Sequence, residues 1–152
     1  MTLDKKVPDF ALAGTGGEFR LADQLGHPLV IYFYPKDNTP GCATEAGQFR
    51  DLHGEFLKLG CSVFGISRDS LKSHQGFKSK LRLPFDLLSD TEETACRLFA
   101  VIKAKKLYGK DVIGIERSTF LIDAGGTLRR EWRGVKADGH AADVLTAARA
   151  LR

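Results

Sequence analysis

The sequence predicts an α/β protein built on a mixed central sheet with helices on both faces, and three observations carry that expectation. Leu29-Val30-Ile31-Tyr32-Phe33-Tyr34 is an unbroken β-branched and aromatic run ended by Pro35, the pattern of a strand buried on both faces. Strand and helix patterns then alternate, which is the rhythm of a parallel core with crossover helices. Late in the chain, Ile115 to Ile122 and Thr127 to Trp132 flank Asp123-Ala-Gly-Gly126, which reads as an antiparallel hairpin.

Taken in order, Val7 to Leu12 and Glu18 to Leu21 bracket the turn Gly14-Thr-Gly-Gly17 and predict a small amino-terminal hairpin. Its glycines are not a phosphate loop, because no helix and no GK[ST] signature follow them. Leu29 to Tyr34 is the central strand. From Pro40, the residues Phe49, Leu52, Phe56 and Leu59 recur at steps of three or four, and Gly60 closes this long helix. Cys61 to Ser67 is the next strand, Ser70 to Lys80 a helix capped by Ser70, and Thr91 to about Ala104 a helix capped by Thr91. After the late hairpin, the alanine-rich stretch from His140 to the end is a final helix. A thioredoxin-like α/β fold fits this order, and with no repeat or linker the whole of 1–152 reads as a single domain.

The bulk properties agree. A chain of 152 residues buries roughly two thirds of its unfolded surface in one core, and 43% hydrophobic with 28% charged residues is the balance of a globular protein. The formal charge of +4 groups at Lys103, Lys105, Lys106 and Lys110 and at Arg129, Arg130 and Arg133. Without an interleaved aromatic motif this is a solvated face that favours anions and thiolates, and it excludes a nucleic-acid function. Met1 to Lys6 lacks an apolar signal core and Leu29 to Tyr34 is too short to cross a bilayer, so no membrane association and a cytoplasmic location are expected. Cys42, Cys61 and Cys96 match no zinc spacing; no metal or cofactor is expected, and a reducing compartment leaves a thiol available for chemistry.

The segment Pro35-Lys-Asp-Asn-Thr39-Pro40-Gly41-Cys42 joins the buried strand to the long helix. Backbone N–H groups point outward unpaired at such a junction and favour an anion. With Thr39 as N-cap and Pro40 as the first helical residue, Cys42 lies in the first turn, where thiolate is favoured over thiol. Free cysteine is ordinarily a small buried hydrophobe. A merely packed residue, however, needs no flanking prolines, glycine and capping threonine at an exposed junction.

Pro35-x-x-x-Thr39-x-x-Cys42 resembles the active-site signature of the peroxiredoxins, and Tyr34-Pro-Lys-Asp-Asn-Thr-Pro-Gly-Cys42 resembles their bacterioferritin comigratory, or Q-type, branch. Val7-Pro-Asp-Phe10, Glu45 and Arg117-Ser-Thr-Phe-Leu-Ile122 extend the likeness over nearly the whole chain. The resemblance implies an antioxidant thiol peroxidase that reduces hydrogen peroxide and organic hydroperoxides to water and alcohols. Cys42 would be the peroxidatic cysteine. Thr39 and the amides of Gly41 and Cys42 would orient the peroxide, Arg117 would stabilise the charge, Pro35 would shield the sulfur, and Glu45 would support the helix start. It also implies a monomer.

Attack leaves a sulfenic acid that needs a second thiol. Many relatives carry that thiol five residues on, where this chain has Gly47, or in the following helix, where Ser70 to Lys80 has no cysteine. Cys61 opens an apolar strand and reads as packing; Cys96 lies beside Ala95, Leu98, Phe99 and Ile102, and remains a possible resolving residue through a disulfide to Cys42. A one-cysteine cycle with thioredoxin, glutaredoxin or glutathione as external reductant is the expectation. Rivals are a cysteine hydrolase with His27, His53, His74 or His140 as base, though none sits in a general-base motif, and a non-enzymatic peroxide sensor or holdase using the same sulfur. Cys42-Ala-Thr-Glu45 lacks the second cysteine of a disulfide reductase.

Overall fold

The structure is a computed structural model and describes residues 2–151. It holds strands β1 (Ala11–Gly14), β2 (Phe19–Arg20), β3 (Leu29–Phe33), β4 (Ser62–Ser67), β5 (Asp86–Ser89), β6 (Ile102–Leu107), β7 (Lys110–Ile115), β8 (Ser118–Ile122) and β9 (Leu128–Arg133). Its helices are α1 (Leu21–Gln24), α2 (Pro40–Lys58), α3 (Leu71–Leu81), α4 (Thr94–Leu98) and α5 (His140–Arg149).

Seven strands form one sheet in the order β2-β1-β5-β4-β3-β8-β9. β3, β4 and β5 run parallel, as strands joined by crossover helices α2 and α3 do. The hairpins β1–β2 and β8–β9 add antiparallel edges. The sheet is therefore mixed, and the fold is the thioredoxin-like one expected.

β3 shows why both faces are covered. Val30, Tyr32 and Tyr34 point into one core with Phe49 and Phe56 of α2, Phe77 of α3 and Val144 of α5. Leu29, Ile31 and Phe33 point into a second core with Phe10, Ala95, Phe99 and Phe120. Successive side chains on a strand alternate between faces, so an unbroken apolar run can be satisfied only when both faces are dry. Tyr32 lies stacked on Phe49 with ring centroids 4.6 Å apart, and its β4 neighbour Gly65 leaves room for its phenol ring.

Most boundaries fall within two residues of expectation, and the Ser70 cap forms, its side chain accepting from the Ser73 N–H at 3.1 Å. The helix expected over Thr91 to Ala104 is a correction: only Thr94–Leu98 is helical, its N-cap is Glu93, and Thr91 caps nothing. Ala100 at φ 55° ends the turn. Ile102 to Ile115 then form a separate two-stranded hairpin around Tyr108-Gly109, both left-handed, the backbone a type I′ turn needs. Cross-strand pairing competes here with helical spacing and wins. The strand expected over Ile115 to Ile122 is likewise divided at Glu116 and Arg117 between two sheets. α5 stops at Arg149, and Met1 and Arg152 lie outside the described residues.

No described helix is long and apolar enough to cross a membrane. A methyl at Gly65 would lie 2.8 Å from Leu87 Cδ2 and from the Tyr32 ring, whereas one at exposed Gly54 of α2 meets nothing within 4 Å. Gly65→Ala should thus cost about 1–3 kcal/mol through overpacking, and Gly54→Ala should gain about 0.5–1 kcal/mol as a better helix former. Urea unfolding of both variants checks the opposite signs.

Candidate active site

β3 delivers the chain to the edge of the sheet, and Pro35 to Thr39 turn it into α2. Thr39 takes the N-cap position with extended backbone and Pro40 is the first helical residue, as expected. The Thr39 hydroxyl, however, makes no cap bond; it donates to the Lys36 carbonyl at 2.8 Å, which leaves its lone pairs free to accept. The first backbone bond of the helix runs from the Ala43 N–H to the Thr39 carbonyl. The N–H groups of Gly41 and Cys42 precede it and have no carbonyl one turn back in the helix.

Cys42 is a correction to the exposed junction expected from the sequence. It is 1% exposed and packs in the α2-side core with Tyr32 and Tyr34. The reason is helical phase: Cys42, Glu45, Ala46 and Phe49 share the inward stripe of α2, and the first turn lies over the end of β3. What separates this sulfur from an inert packed thiol is Arg117, whose Nη2 donates to Cys42 Sγ at 3.4 Å. Among the described residues it is the only hydrogen-bond partner of that sulfur, and no histidine shares that reach.

Arg117 comes from the break between β7 and β8, where the Val135 N–H ties down its carbonyl at 3.1 Å. Its second arm, Nη1, bonds Glu45 Oε1 at 2.7 Å, and the Glu45 side chain is wholly buried. Glu45 is thus an orienting partner of Arg117 rather than a carboxylate answering the helix dipole. Burial pushes its carboxyl up to about 7 despite the guanidinium. Burial opposes the charge of Arg117 as well, but Glu45 and Cys42 hold its proton more firmly than usual. Gly41 lets the guanidinium approach, since a Cβ there would sit 3.2 Å from Nη2. Pro35, half-buried, stands where β3 leaves the sheet.

The other two cysteines are not brought here. Cys96 packs on the opposite side of the sheet, among Phe33, Phe99 and Phe120, with β3 between it and Cys42. Burial and the neighbouring Asp90 push its thiol well up. Cys61 follows the far end of α2, and 19 residues of helix separate the ends by about 28 Å. Burial pushes its thiol up to about 12.

Two of the histidines weighed as a hydrolase base are buried. His74 is wholly buried, between Asp37 and the Leu88 carbonyl. His140 is buried with Nε2 2.7 Å from Thr119 Oγ1, and burial pushes its imidazole down to about 4. Asp37 lies in the loop between β3 and α2, and His74 beside it on α3; sequence reasoning named His74 only as a hydrolase base and passed over Asp37, since a lone Asp in a turn and a lone His on a helix carry no motif. With Asp69 they bring ligand atoms within 4.8 Å of one another. Those atoms are spent on each other and on Tyr34, Ser67, Ser73 and Leu88, so a cation would have to displace protein donors.

A sulfur held under a guanidinium at a helix start, on a mixed sheet, suits a thiol enzyme, and comparison with known proteins specifies the class. Residues 3–131 match the model of the AhpC/TSA family, and the chain belongs to that family. Peroxiredoxin Bcp of Xanthomonas campestris is 52% identical over 143 residues, covering 93% of this chain and 89% of the relative. Peroxiredoxin Bcp of Bacillus subtilis is 50% identical over 148 residues, covering 95% and 94%. Among solved structures, PrxQ of Xylella fastidiosa, crystallised as a cysteine-to-serine variant, superposes with a TM-score of 0.93 at 42% identity, covering 99% of this chain and 96% of that one. The Xanthomonas campestris bacterioferritin comigratory protein superposes with a TM-score of 0.88 at 51% identity, covering 93% and 90%. Within the family the chain is a peroxiredoxin of this branch, a thiol-dependent peroxidase.

Glu45 supplies a check on the site's electrostatics. Its folded-state proton affinity exceeds the unfolded one, so its burial favours the fold at low pH and loses that contribution as pH rises from about 4.5 through about 7. Parent and Glu45→Gln should therefore differ in pH slope across that window, the parent losing up to about 3 kcal/mol more. Urea unfolding at a series of pH values measures the difference.

Proposed function

We propose that Cys42 is the peroxidatic residue and that its thiolate attacks the terminal oxygen of a hydroperoxide. The O–O bond breaks, sulfur takes the hydroxyl as a sulfenic acid, and the departing alkoxide or hydroxide takes up a proton to leave as alcohol or water. The observation that carries this reading is the 3.4 Å contact between Arg117 Nη2 and Cys42 Sγ at the first turn of α2. A guanidinium keeps its proton at every working pH, so it favours the thiolate and the charge that moves onto the peroxide oxygens. Thr39, whose hydroxyl proton is engaged by Lys36, accepts from the peroxide O–H. The free amides of Gly41 and Cys42 donate to its oxygens, and Pro35 keeps water off the sulfur. Hydrogen peroxide and organic hydroperoxides are the substrates, as the name of the Xanthomonas structure says of alkyl peroxides for that protein.

The cycle is a one-cysteine cycle. Cys61 beyond the far end of α2 and Cys96 across the sheet argue against the approach to roughly 7 Å between Cα atoms that a disulfide with Cys42 requires. An external thiol, from thioredoxin, glutaredoxin or glutathione, condenses with the sulfenic acid and expels water. A second thiol then cleaves the mixed disulfide and restores the Cys42 thiolate. The protein acts as a cytoplasmic monomer, with 1–152 as one domain.

Cys42→Ser should bring peroxide consumption down to that of the reductant alone, while Cys61→Ser and Cys96→Ser keep sustained turnover with glutathione. Mass spectrometry after one equivalent of peroxide should show one added oxygen on Cys42 and no internal disulfide. Retained activity in Cys42→Ser would rule the assignment out, and a single burst without turnover would favour a sensor. Arg117→Lys keeps the charge but cannot bond both Sγ and Glu45, so loss of one charge-assisted bond should slow Cys42 oxidation about 10–100-fold. Stopped-flow competition kinetics reads that rate.

A further inference from the structure

Among the described residues, strands β6 and β7 pair with each other and with no other strand, and a two-stranded ribbon is marginal in water unless something lies against it. The ribbon leaves the body at the end of the main sheet where the helix of Cys42 starts. β8 begins there, with Ser118 paired to Phe33 at the end of β3, and Arg117 is the second residue after β7. Arg68, just past β4, holds the ribbon to this end by donating to the Ile113 carbonyl at 3.4 Å.

Packing against the body stops early along the ribbon. Ile102 and Ile115 pair at its base, and Ile115 is buried in the second core. Cross-strand partners share a face and alternate along the strands, so the pair Ala104 and Ile113 continues that apolar side outward. Ala104 is exposed and Ile113 is 66% exposed. At the tip, Tyr108 is 96% exposed and left-handed, with φ 53°. Glycine or asparagine suits that backbone and a bulky side chain is strained in it, so neither the turn nor packing accounts for a tyrosine. The opposite side carries Lys103 and Lys110, both exposed, with Val112 between them. Ile102 to Ile115 contain four lysines against one carboxylate, Asp111.

An apolar strip and an exposed aromatic tip among unopposed positive charges complement a partner whose apolar patch has an acidic rim. A second copy of the ribbon would bring like charges together. Position selects among acidic partners, because the ribbon stands at the sheet end that holds Cys42, and a sulfenic acid there needs a thiol from outside.

We propose that the β6–β7 ribbon is the docking surface for an acidic dithiol protein that reduces Cys42, with Lys103, Tyr108, Lys110 and Ile113 as its contacts. This rests on the assignment of Cys42 as a peroxidatic residue served by an external reductant. The partner's first thiolate attacks Cys42 Sγ, the sulfenic hydroxyl leaves with a proton as water, and a mixed disulfide forms. The partner's second thiolate then attacks its own sulfur in that bond, so Cys42 departs as thiolate and the partner keeps an internal disulfide, having supplied both electrons. Glutathione is too small to span the ribbon and reduces the sulfur without its help.

The test uses hydrogen peroxide as oxidant and compares two reductants, an acidic thioredoxin recycled by its reductase with NADPH, and glutathione. Parent, the double variant Lys103→Glu with Lys110→Glu, Tyr108→Ala and Cys42→Ser are assayed. The charge variant should raise the KM for thioredoxin about tenfold through lost steering, and Tyr108→Ala about fivefold through a lost interface contact. With glutathione, and in the first oxidation of Cys42 read by stopped flow, both variants should match the parent. Added salt should raise the thioredoxin KM of the parent and leave that of the charge variant unchanged. Lys103→Gln with Lys110→Gln carries the test if the glutamate pair does not fold. A thioredoxin KM unchanged in both ribbon variants, or a parent that glutathione reduces and thioredoxin does not, would overturn the docking surface. An equal loss with both reductants would overturn it too, since the ribbon would then act on Arg117. So would sedimentation of the parent with phosphatidylglycerol vesicles that the charge variant loses while its thioredoxin KM holds, which would give the ribbon to a membrane surface. Peroxide consumption in Cys42→Ser equal to that of the parent would instead overturn the peroxidase assignment, which keeps the two failures apart.

Discussion

The Arg117 guanidinium ties the first two turns of α2 to the break between β7 and β8. One arm reaches a sulfur in the first turn of α2 and the other a buried carboxylate one turn further on. The residue itself is supplied by the break between the basic hairpin and the main sheet. A charge removed from water is costly unless it is paired and bonded, so this cation organises its surroundings: Gly41 gives it space, Glu45 neutralises it, and Cys42 receives its remaining donor. This electrostatic arrangement is already built into the fold.

The two-faced sheet accounts for the division of labour among the cysteines. Each residue of β3 commits to one side, and anything anchored to one face is walled off from the other by a layer of strands. Cys42 and Cys96 are both deeply buried, yet they belong to different interiors. Cys61 shares an interior with Cys42 but stands at the opposite end of a long helix. Burial raises the proton affinity of the Cys61 thiol, and burial with Asp90 beside it that of Cys96; Cys42 is buried with an Arg117 donor against its sulfur. Three similar residues thus acquire different surroundings from position alone.

Much of the fold was legible because its signals are local. The run Leu29 to Tyr34 spells a doubly buried strand, Pro40 starts a helix, Ser70 caps the next, and each of these depends on a few neighbouring residues. The stretch from Thr91 to Ile122 was not, and for one reason. Ile102 continues the helical spacing of Ala95, Leu98 and Phe99 but opens β6, and the choice falls to the left-handed turn at Tyr108-Gly109 and to pairing across it. That misreading hid the position of Arg117 between two sheets, although the motif around it marked the residue itself.

By itself the sequence determined the order of most elements, the cysteine in the first turn of a helix and the kinship of the whole chain, because motif and periodicity are written in consecutive residues. Only the tertiary structure decided that Cys42 is buried, that Glu45 answers Arg117, that Cys96 lies across the sheet, and that Asp37 before α2 meets His74 of α3. The physical reason is common to all four. Charge pairing and burial depend on distances between residues far apart in the chain, as Arg117 and Cys42 or His74 and Asp37 are, and those distances exist only once the sheet has formed.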